Sequence, residues 1–187
     1  MDSDIIAEMR WTMADHPVTN AEYAAFVAAG GDPDWPGPCG TDQASAAAWV
    51  DYDHAVAYCN WRTAAGEPCR LPTDAEWQAW VDGLPTDDPR RLVDGRSVWE
   101  WTATVWGDDC PDARRVVRGG SWDDDYRHAR AACRYGLNPG YRLDLVGFRV
   151  VRAAPVSLTS GDPGSGSDVP ALNPEHDRHP RGASDGQ

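Results

Sequence analysis

The chain has 187 residues and a formal net charge of −13, from 30 acidic and 17 basic residues, and every one of those basic residues is an arginine. Nonspecific nucleic-acid binding depends on a basic surface, so this charge balance argues against nucleic acid as a partner. The length allows one domain with a sizeable core. Ten Trp beside two Phe favour a small, irregular, aromatic-rich interior over a helical bundle.

The five cysteines fit no recognisable zinc or redox pattern. They are Cys39, Cys59, Cys69, Cys110 and Cys133. None of them forms a CxxC pair, and no Cys/His spacing matches a zinc site. The N-terminus carries acids where a signal peptide needs a basic start, and no apolar run approaches the length of a membrane span. We therefore expect a cytoplasmic protein with free thiols and no membrane partner, with one exposed disulfide as the open alternative.

Composition divides the chain into three parts. Residues 17–155 carry the patterned sequence and form the predicted domain, and residues 1–16 are its lead-in. From residue 156 onward Gly, Ser, Pro and Asp dominate. A segment of this composition buries too little apolar surface to offset the entropy lost on ordering, so residues 156–187 are predicted to be a disordered tail.

Two or three short helices are predicted before Gly83, and glycines stop the first two of them. The second helix begins at Asp51, a good N-cap residue. The first and third begin at T-x-x-E capping boxes, in which two side chains satisfy otherwise unpaired backbone amides. These boxes are Thr19 with Glu22 and Thr73 with Glu76.

Strand patterns follow the helices. The segments SVWEWTATVW, RRVVRGG and VGFRVVR are short and rich in β-branched or aromatic residues. Helices that precede a run of strands predict an α+β fold with a small antiparallel sheet and much ordered coil. The absence of strand–helix alternation argues against a continuous parallel sheet.

Six motifs in one order carry a family resemblance: PVTNAEYAAF, AVAYCNW, RLPTDAEW, VWEWT, VVRGGSW and VGFRVV. Together they resemble the formylglycine-generating enzyme (sulfatase-modifying factor) family. The resemblance implies a C-type-lectin-like fold: a compact α+β domain with a small twisted sheet, two helices and long ordered loops. That expectation agrees with the element pattern above.

The resemblance also implies where an oxidase site would lie. Catalytic members use two cysteines shortly after the GGS motif to bind copper and convert a substrate cysteine to formylglycine, a task suited to soft thiolate ligands. Here Asp124 stands where the first cysteine is expected, and Cys133, next to Arg134, is the only thiol in the region. We therefore expect neither copper nor catalysis. The alternative is an oxidoreductase acting on protein cysteine through an atypical site.

A calcium site is a weaker implication of the same resemblance. The family places an Asn, a Gly carbonyl and a Glu around a GNVWEW motif, and calcium requires several hard oxygen ligands. In this chain Glu100 remains and Asp94 is near, but Arg96 and Ser97 occupy the Gly-Asn region. Glu100 is therefore a candidate calcium ligand. The alternative is that it holds a loop by hydrogen bonds to the backbone.

The segment 123–145 resembles the variable region of diversity-generating-retroelement variable proteins, which display a changeable surface on the same fold. Their variable positions arise from mutated asparagine codons, which do not yield Lys, Glu, Gln, Met or Trp, and this segment contains none of these five residue types. The changeable residue types here are the candidate ligand-binding residues. They are Asp124, Asp125, Tyr126, His128, Cys133, Tyr135, Leu137, Asn138, Tyr141, Leu143 and Asp144.

This mixture of side chains suits recognition. Tyrosines offer rigid amphipathic area, and Arg, Asp and Asn offer directional hydrogen bonds, as in antibody paratopes. A frame of strands holds such a segment in place before a ligand binds. We predict a non-catalytic module that binds a protein or a small polar ligand. The alternative for each residue is a scaffold role, with arginines such as Arg118, Arg130 and Arg149 pairing with the abundant Asp.

Overall fold

The computed structural model describes most of the chain before residue 155. The described residues are 10–38, 41–88, 98–107, 113–121, 123–124 and 133–154. The chain divides into two units, Met1–Val156 and Ser157–Gln187. The second unit and the predicted tail lie outside the described residues.

Three helices and seven strands are described. The helices are α1 (Asn20–Ala28), α2 (Tyr52–Ala64) and α3 (Asp74–Asp82). The strands are β1 (Arg10–Met13), β2 (Cys69–Arg70), β3 (Trp99–Val105), β4 (Arg115–Gly119), β5 (Arg134–Leu137), β6 (Val146–Phe148) and β7 (Val151–Ala154).

The helix ends form as the sequence predicts. Thr19 Oγ1 accepts from the Glu22 amide, and Glu22 Oε2 accepts from the Thr19 amide at 2.9 Å. Thr73 and Glu76 form the same capping box at α3. Asp51 caps α2 by accepting from the His54 amide at 2.8 Å. Glycines in the left-handed region follow two helix ends: Gly30 after α1 and Gly66 after α2.

The strands form two sheets rather than the single antiparallel sheet that the patterns predict. The three-stranded sheet has the order β1-β7-β2 and is antiparallel. The four-stranded sheet has the order β5-β4-β3-β6, and β6 runs parallel to β3, with Trp99 opposite Val146. Strand β1 lies within the predicted lead-in, and β7 separates it from β2.

The segment VGFRVVR is two strands, so its interpretation as one was wrong. β6 and β7 belong to different sheets, and the chain leaves one for the other at Arg149 and Val150. The Arg149 side chain enters the interior, where it meets Glu100, while the Val150 carbonyl accepts from the Ala14 amide at 3.0 Å. The local sequence pattern of VGFRVVR is that of one continuous strand, but contacts with residues distant in the sequence divide it into two strands.

A buried ion pair lies at this junction. Arg149 donates from Nε and Nη2 to the two carboxylate oxygens of Glu100, each at 3.0 Å. Trp77 Nε1 donates to the same carboxylate at 2.8 Å, and Arg149 Nη1 donates to the Ala14 carbonyl at 2.8 Å. The Trp80 ring lies 4.1 Å from the guanidinium carbon. Both charges are therefore compensated inside the domain.

Aromatic residues fill the core between α1, α2 and β6, as the composition predicts. Tyr23, Phe26, Tyr58 and Phe148 are all buried and contact one another, with ring centroids 5.3 to 6.1 Å apart. The indole N–H of Trp101 finds a partner in the Val50 carbonyl at 2.8 Å. Large aromatic rings thus supply most of the burial here, and the indole N–H of Trp101 is paired as it is buried.

Gly147 marks the closest approach between β6 and the loop before α2. A Cβ at this position would lie 2.2 Å from the Ala47 carbonyl oxygen, which is backbone and has little freedom to move. We expect Gly147→Ala to lower the free energy of unfolding by about 2 to 3 kcal/mol through overpacking, as measured by urea denaturation. Gly140→Ala is the matched control, since a Cβ there meets only Asn138 Oδ1 at 3.5 Å. Equal stability of the two variants would contradict this account of the packing.

Candidate functional site

Asp124 organises the turn that follows β4. Its Oδ2 accepts three hydrogen bonds at 2.8 Å, from the Ser121 amide, the Ser121 hydroxyl and Trp99 Nε1. The Asp124 amide in turn donates to the Ser121 carbonyl at 3.1 Å. The carboxylate therefore fixes its own turn and ties it to the start of β3. It occupies the position at which the resemblance implies a cysteine.

A cavity of about 290 Å³ opens beside this turn. Four candidate residues of the segment 123–145 line it: Asp124, Tyr135, Leu137 and Leu143. The structure adds six residues that sequence reasoning did not select. They are Trp99, Val117, Ser121, Asp123, Leu145 and Val146. The lining therefore combines apolar side chains from β4, β5, β6 and the loop before β6 with two carboxylates and two aromatic rings.

Two tyrosines give this region an exposed aromatic surface. Tyr135, on β5, is 68% exposed and packs edge-on against Trp99 with ring centroids 5.8 Å apart. Tyr141 is 54% exposed and follows a turn in which its amide donates to the Asn138 carbonyl. Among the described residues the exposed large hydrophobic side chains are Val105, Tyr135 and Tyr141, so two of these three lie in this segment.

The loop from residue 138 to 145 is fixed to the helices by Arg142. Its guanidinium donates to Asp32 at 3.1 and 3.2 Å and to Asp51 at 2.8 Å. Asp32 is fully buried and also accepts from the Tyr23 hydroxyl at 2.7 Å, while His54 Nδ1 lies 2.7 Å from Arg142 Nη2. We call these five residues the Arg142 clamp.

Hydrogen bonds and neighbouring charges shift the pKa values of three groups in the clamp. Burial opposes ionisation of Asp51, but the hydrogen bonds from the His54 amide and ring, together with the His54 and Arg142 charges, hold its pKa below the ordinary value. Burial also lowers the pKa of Arg142, but its bonds to Asp32 and Asp51 outweigh this and raise the pKa. Burial and the Asp32 hydrogen bond raise the pKa of Tyr23, so its hydroxyl stays a donor.

Backbone contacts complete the attachment of this loop. The Trp49 amide donates to the Leu143 carbonyl at 2.9 Å, and the Tyr52 amide donates to the Pro139 carbonyl at 3.0 Å. Leu143 therefore reaches the cavity from a loop that is held at several points. Nothing local to Arg142 in the sequence indicates its partner Asp32, 110 residues away.

The other candidate residues lie around the cavity or beyond the described residues. Cys133 precedes β5, and its carbonyl accepts from Arg118 at 3.3 Å, but it is not among the described residues that line the cavity. Asn138 and Asp144 belong to the clamped loop and also do not line it. Asp125, Tyr126 and His128 lie outside the described residues. Strand β5 was missed because its four residues, RYGL, are short and interrupted by a glycine.

Glu100, the candidate calcium ligand, has both carboxylate oxygens bonded to Arg149 and one also to Trp77. Asp94 lies outside the described residues, so the calcium site stays a prediction. Among the described residues, no group of three or more His, Cys, Asp or Glu side chains is arranged to hold a metal ion. Within the same part of the chain, Cys59, Cys69 and Cys133 are free thiols.

The helices that the structure describes are too short or too polar to cross a membrane.

Comparison with protein families gives a match over most of the chain. A model described as the sulfatase-modifying factor enzyme 1-like domain matches residues 6–83 and 95–154. No curated protein matches the sequence.

Solved structures share the fold. PvdO from Pseudomonas aeruginosa is similar with a TM-score of 0.65 at 18% identity, over 77% of this chain and 80% of that chain. CarF gives a TM-score of 0.63 at 17% identity, over 77% and 86%. Variable protein 1 of Treponema denticola gives 0.60 at 17% identity, over 77% and 84%. At these identities the likeness shows the fold alone, which confirms the predicted α+β, C-type-lectin-like class.

The Arg142 clamp predicts how the stability of the fold depends on pH. Because the pKa of Asp51 is lowered on folding, its contribution to stability is fully present above the ordinary pKa of 3.8 and is lost as pH falls below it. The difference in unfolding free energy between wild type and Asp51→Asn should shrink as the pH falls below 3.8. Asp53→Asn, an exposed change on the same helix, is the control for altered net charge. A difference that grows on acidification would contradict the clamp.

Proposed function

This chain belongs to the sulfatase-modifying factor enzyme 1-like family, and we propose that it is a ligand-binding module that performs no oxidation. Its ligand is a protein or a small polar molecule, held on a surface formed by the 290 Å³ cavity and the exposed ring of Tyr135, which lines it. We call this the cavity surface. It requires no copper and no calcium.

The observation that carries the proposal is the role of Asp124. Three donors from Ser121 and Trp99 saturate one of its oxygens, so the carboxylate works as a structural anchor for the turn. A carboxylate in this position does not supply the soft ligand that Cu(I) prefers. A single thiol, that of Cys133, is also insufficient for a paired copper site.

The cavity surface has the properties of a recognition site. Its volume is at the lower end of the range for small-molecule pockets, roughly 300 Å³ and above, which suits a small ligand or one side chain of a protein partner. Its walls are mostly apolar, and Asp123 and Ser121 add polar groups that select orientation. Tyr135 extends the contact area outward with little conformational entropy to lose.

The frame supports binding by keeping this surface ordered before the ligand arrives. Arg142 holds the loop that carries Leu143, and Asp124 holds the turn on the other side of the cavity. Preorganisation lowers the entropic cost of association. The shared fold of the Treponema denticola variable protein agrees with a display role, in which exposed residues differ between copies while the frame is kept.

A display role predicts that the exposed residues of this segment can be replaced with little loss of stability. Replacing Tyr135 or Tyr141 by Ser or Asn should change the free energy of unfolding by less than about 0.5 kcal/mol, because both side chains are mostly exposed. Asp124→Ala should cost about 1 to 3 kcal/mol, because it removes a charged acceptor from three donors. Urea denaturation of the three variants measures both effects. Large losses at the tyrosines would show that they are scaffold.

Binding itself is tested by selection from a random peptide library on the wild-type protein. Peptides that bind the cavity surface should lose about tenfold or more in affinity for Tyr135→Ala, a loss typical of a central aromatic contact. They should retain affinity for Asp53→Asn, an exposed change on α2. Selected peptides that are indifferent to Tyr135 would contradict the assignment of this surface.

Oxidation is tested separately. The purified protein, alone and after loading with Cu(I), is incubated with oxygen, a thiol reductant and a peptide carrying a sulfatase target cysteine. We expect no aldehyde by mass spectrometry and oxygen uptake equal to that of Cys133→Ser. Stoichiometric copper together with aldehyde formation that the Cys133→Ser variant lacks would overturn the proposal.

A further inference from the structure

A second and larger cavity, of about 460 Å³, lies between the C-terminal half of α2, the turn before β2, and β7. It shares no described residue with the cavity surface. Part of its wall is apolar, formed by Pro68, Val150 and Ala153. Its polar residues are Tyr58, Cys69, Glu67 and two arginines, Arg62 and Arg152, so the charged side chains of the lining sum to a net positive charge. None of these groups takes part in the site described above.

The Tyr58 hydroxyl lacks a partner. The side chain is 2% exposed and lines this cavity, yet its hydroxyl makes no hydrogen bond with any residue that the structure describes. Burial raises its pKa to about 12, so the group remains a protonated donor at neutral pH. The hydroxyl oxygen is not among the enclosed unpaired polar atoms of the described residues, so it is accessible from the cavity. An acceptor on a bound molecule would satisfy it.

Two arginines give the cavity its preference for an anion. Arg62 pairs with Glu67, and Arg152 pairs with Glu22 at 3.4 Å. The Glu67 side chain is 61% exposed, and exposed ion pairs contribute little to stability. A ligand carboxylate can therefore take the place of these surface partners at low cost, and the planar guanidinium suits it better than a point charge does.

The Cys69 thiol lies beside the same arginines. Its Sγ is 3.7 Å from the Cys59 carbonyl oxygen. A hydrogen bond from the Cys59 thiol lowers the pKa of Cys69, burial opposes this, and the charges of Arg62 and Arg152 lower it further. The rate at which the Cys69 thiol is alkylated therefore reports whether a molecule binds next to the two arginines.

We propose that this second cavity binds a small organic carboxylate. The carboxylate pairs with Arg62 and Arg152, the Tyr58 hydroxyl donates to the bound molecule, and the apolar body of the ligand lies against Val150 and Ala153. The proposal does not depend on the function of the cavity surface, because the two cavities share no described residue.

Two alkylating probes test it in the intact chain. Iodoacetate and iodoacetamide are both attacked by a thiolate, with formation of a carbon–sulfur bond and loss of iodide, and they differ only in carrying a carboxylate or a neutral amide. The ratio of their rates at one thiol cancels the thiolate fraction and isolates preference for the anion. Peptide mass spectrometry follows Cys69 and, in the same sample, Cys133, which does not line this cavity.

The iodoacetate-to-iodoacetamide ratio at Cys69 should exceed that at Cys133 by about tenfold, the effect of one charged hydrogen bond. It should fall to the Cys133 value in the double variant Arg62→Gln, Arg152→Gln, while the ratio at Cys133 stays unchanged. Benzoate, but not benzamide, should slow iodoacetamide at Cys69, and Tyr58→Phe should weaken that protection. Circular dichroism melts confirm that each variant is folded.

Either of two results would overturn the proposal. One is an iodoacetate-to-iodoacetamide rate ratio that is the same at Cys69 and Cys133 and that does not change in the double arginine variant. The other is a Cys69 that reacts with neither probe while Cys133 reacts, since the cavity would then admit no molecule of this size to the thiol.

Discussion

The two sheets of this domain separate at one buried ion pair. Arg149 lies between β6 and β7, and its contact with Glu100 on β3 joins the point of separation to the centre of the four-stranded sheet. Replacing such a pair with well-packed apolar residues can be neutral, but removing one partner leaves an uncompensated charge in the interior. Trp77 and the Ala14 carbonyl complete the bonding, so α3 and the segment after β1 depend on the same charges.

The cavity surface is a consequence of this frame. Strand β4 ends opposite Trp99 on one side of β3 and β6 begins opposite Trp99 on the other side, so the chain must cross β3 before it enters β6. That crossing is the segment 123–145. It is fixed near its beginning by Asp124 and near its end by Arg142, and between these anchors the described side chains of Tyr135 and Tyr141 are exposed. Regular strands therefore hold an irregular segment in place, and its exposed positions remain available for recognition.

Much of the fold could be predicted because its signals are local. Capping boxes act over three residues, so Thr19 and Thr73 identify their helices without tertiary information. The division of VGFRVVR could not be predicted, because it depends on Glu100, 49 residues from Arg149. The candidate site shows the same contrast. The unusual composition of the segment distinguishes it in the sequence. Its cavity is also lined by Trp99, which lies on β3 and is brought to the cavity only by the tertiary fold.

The pairing of β1 with β7 has a consequence for how this domain is attached to anything else. Arg10 lies opposite Ala154, so the first and last residues that the structure describes are adjacent in the three-stranded sheet. A unit whose ends are adjacent can be spliced as a cassette into an exposed loop of a host protein, or circularly permuted through a short linker, with little strain on its interior. The topology thus makes the domain suitable for insertion into another protein.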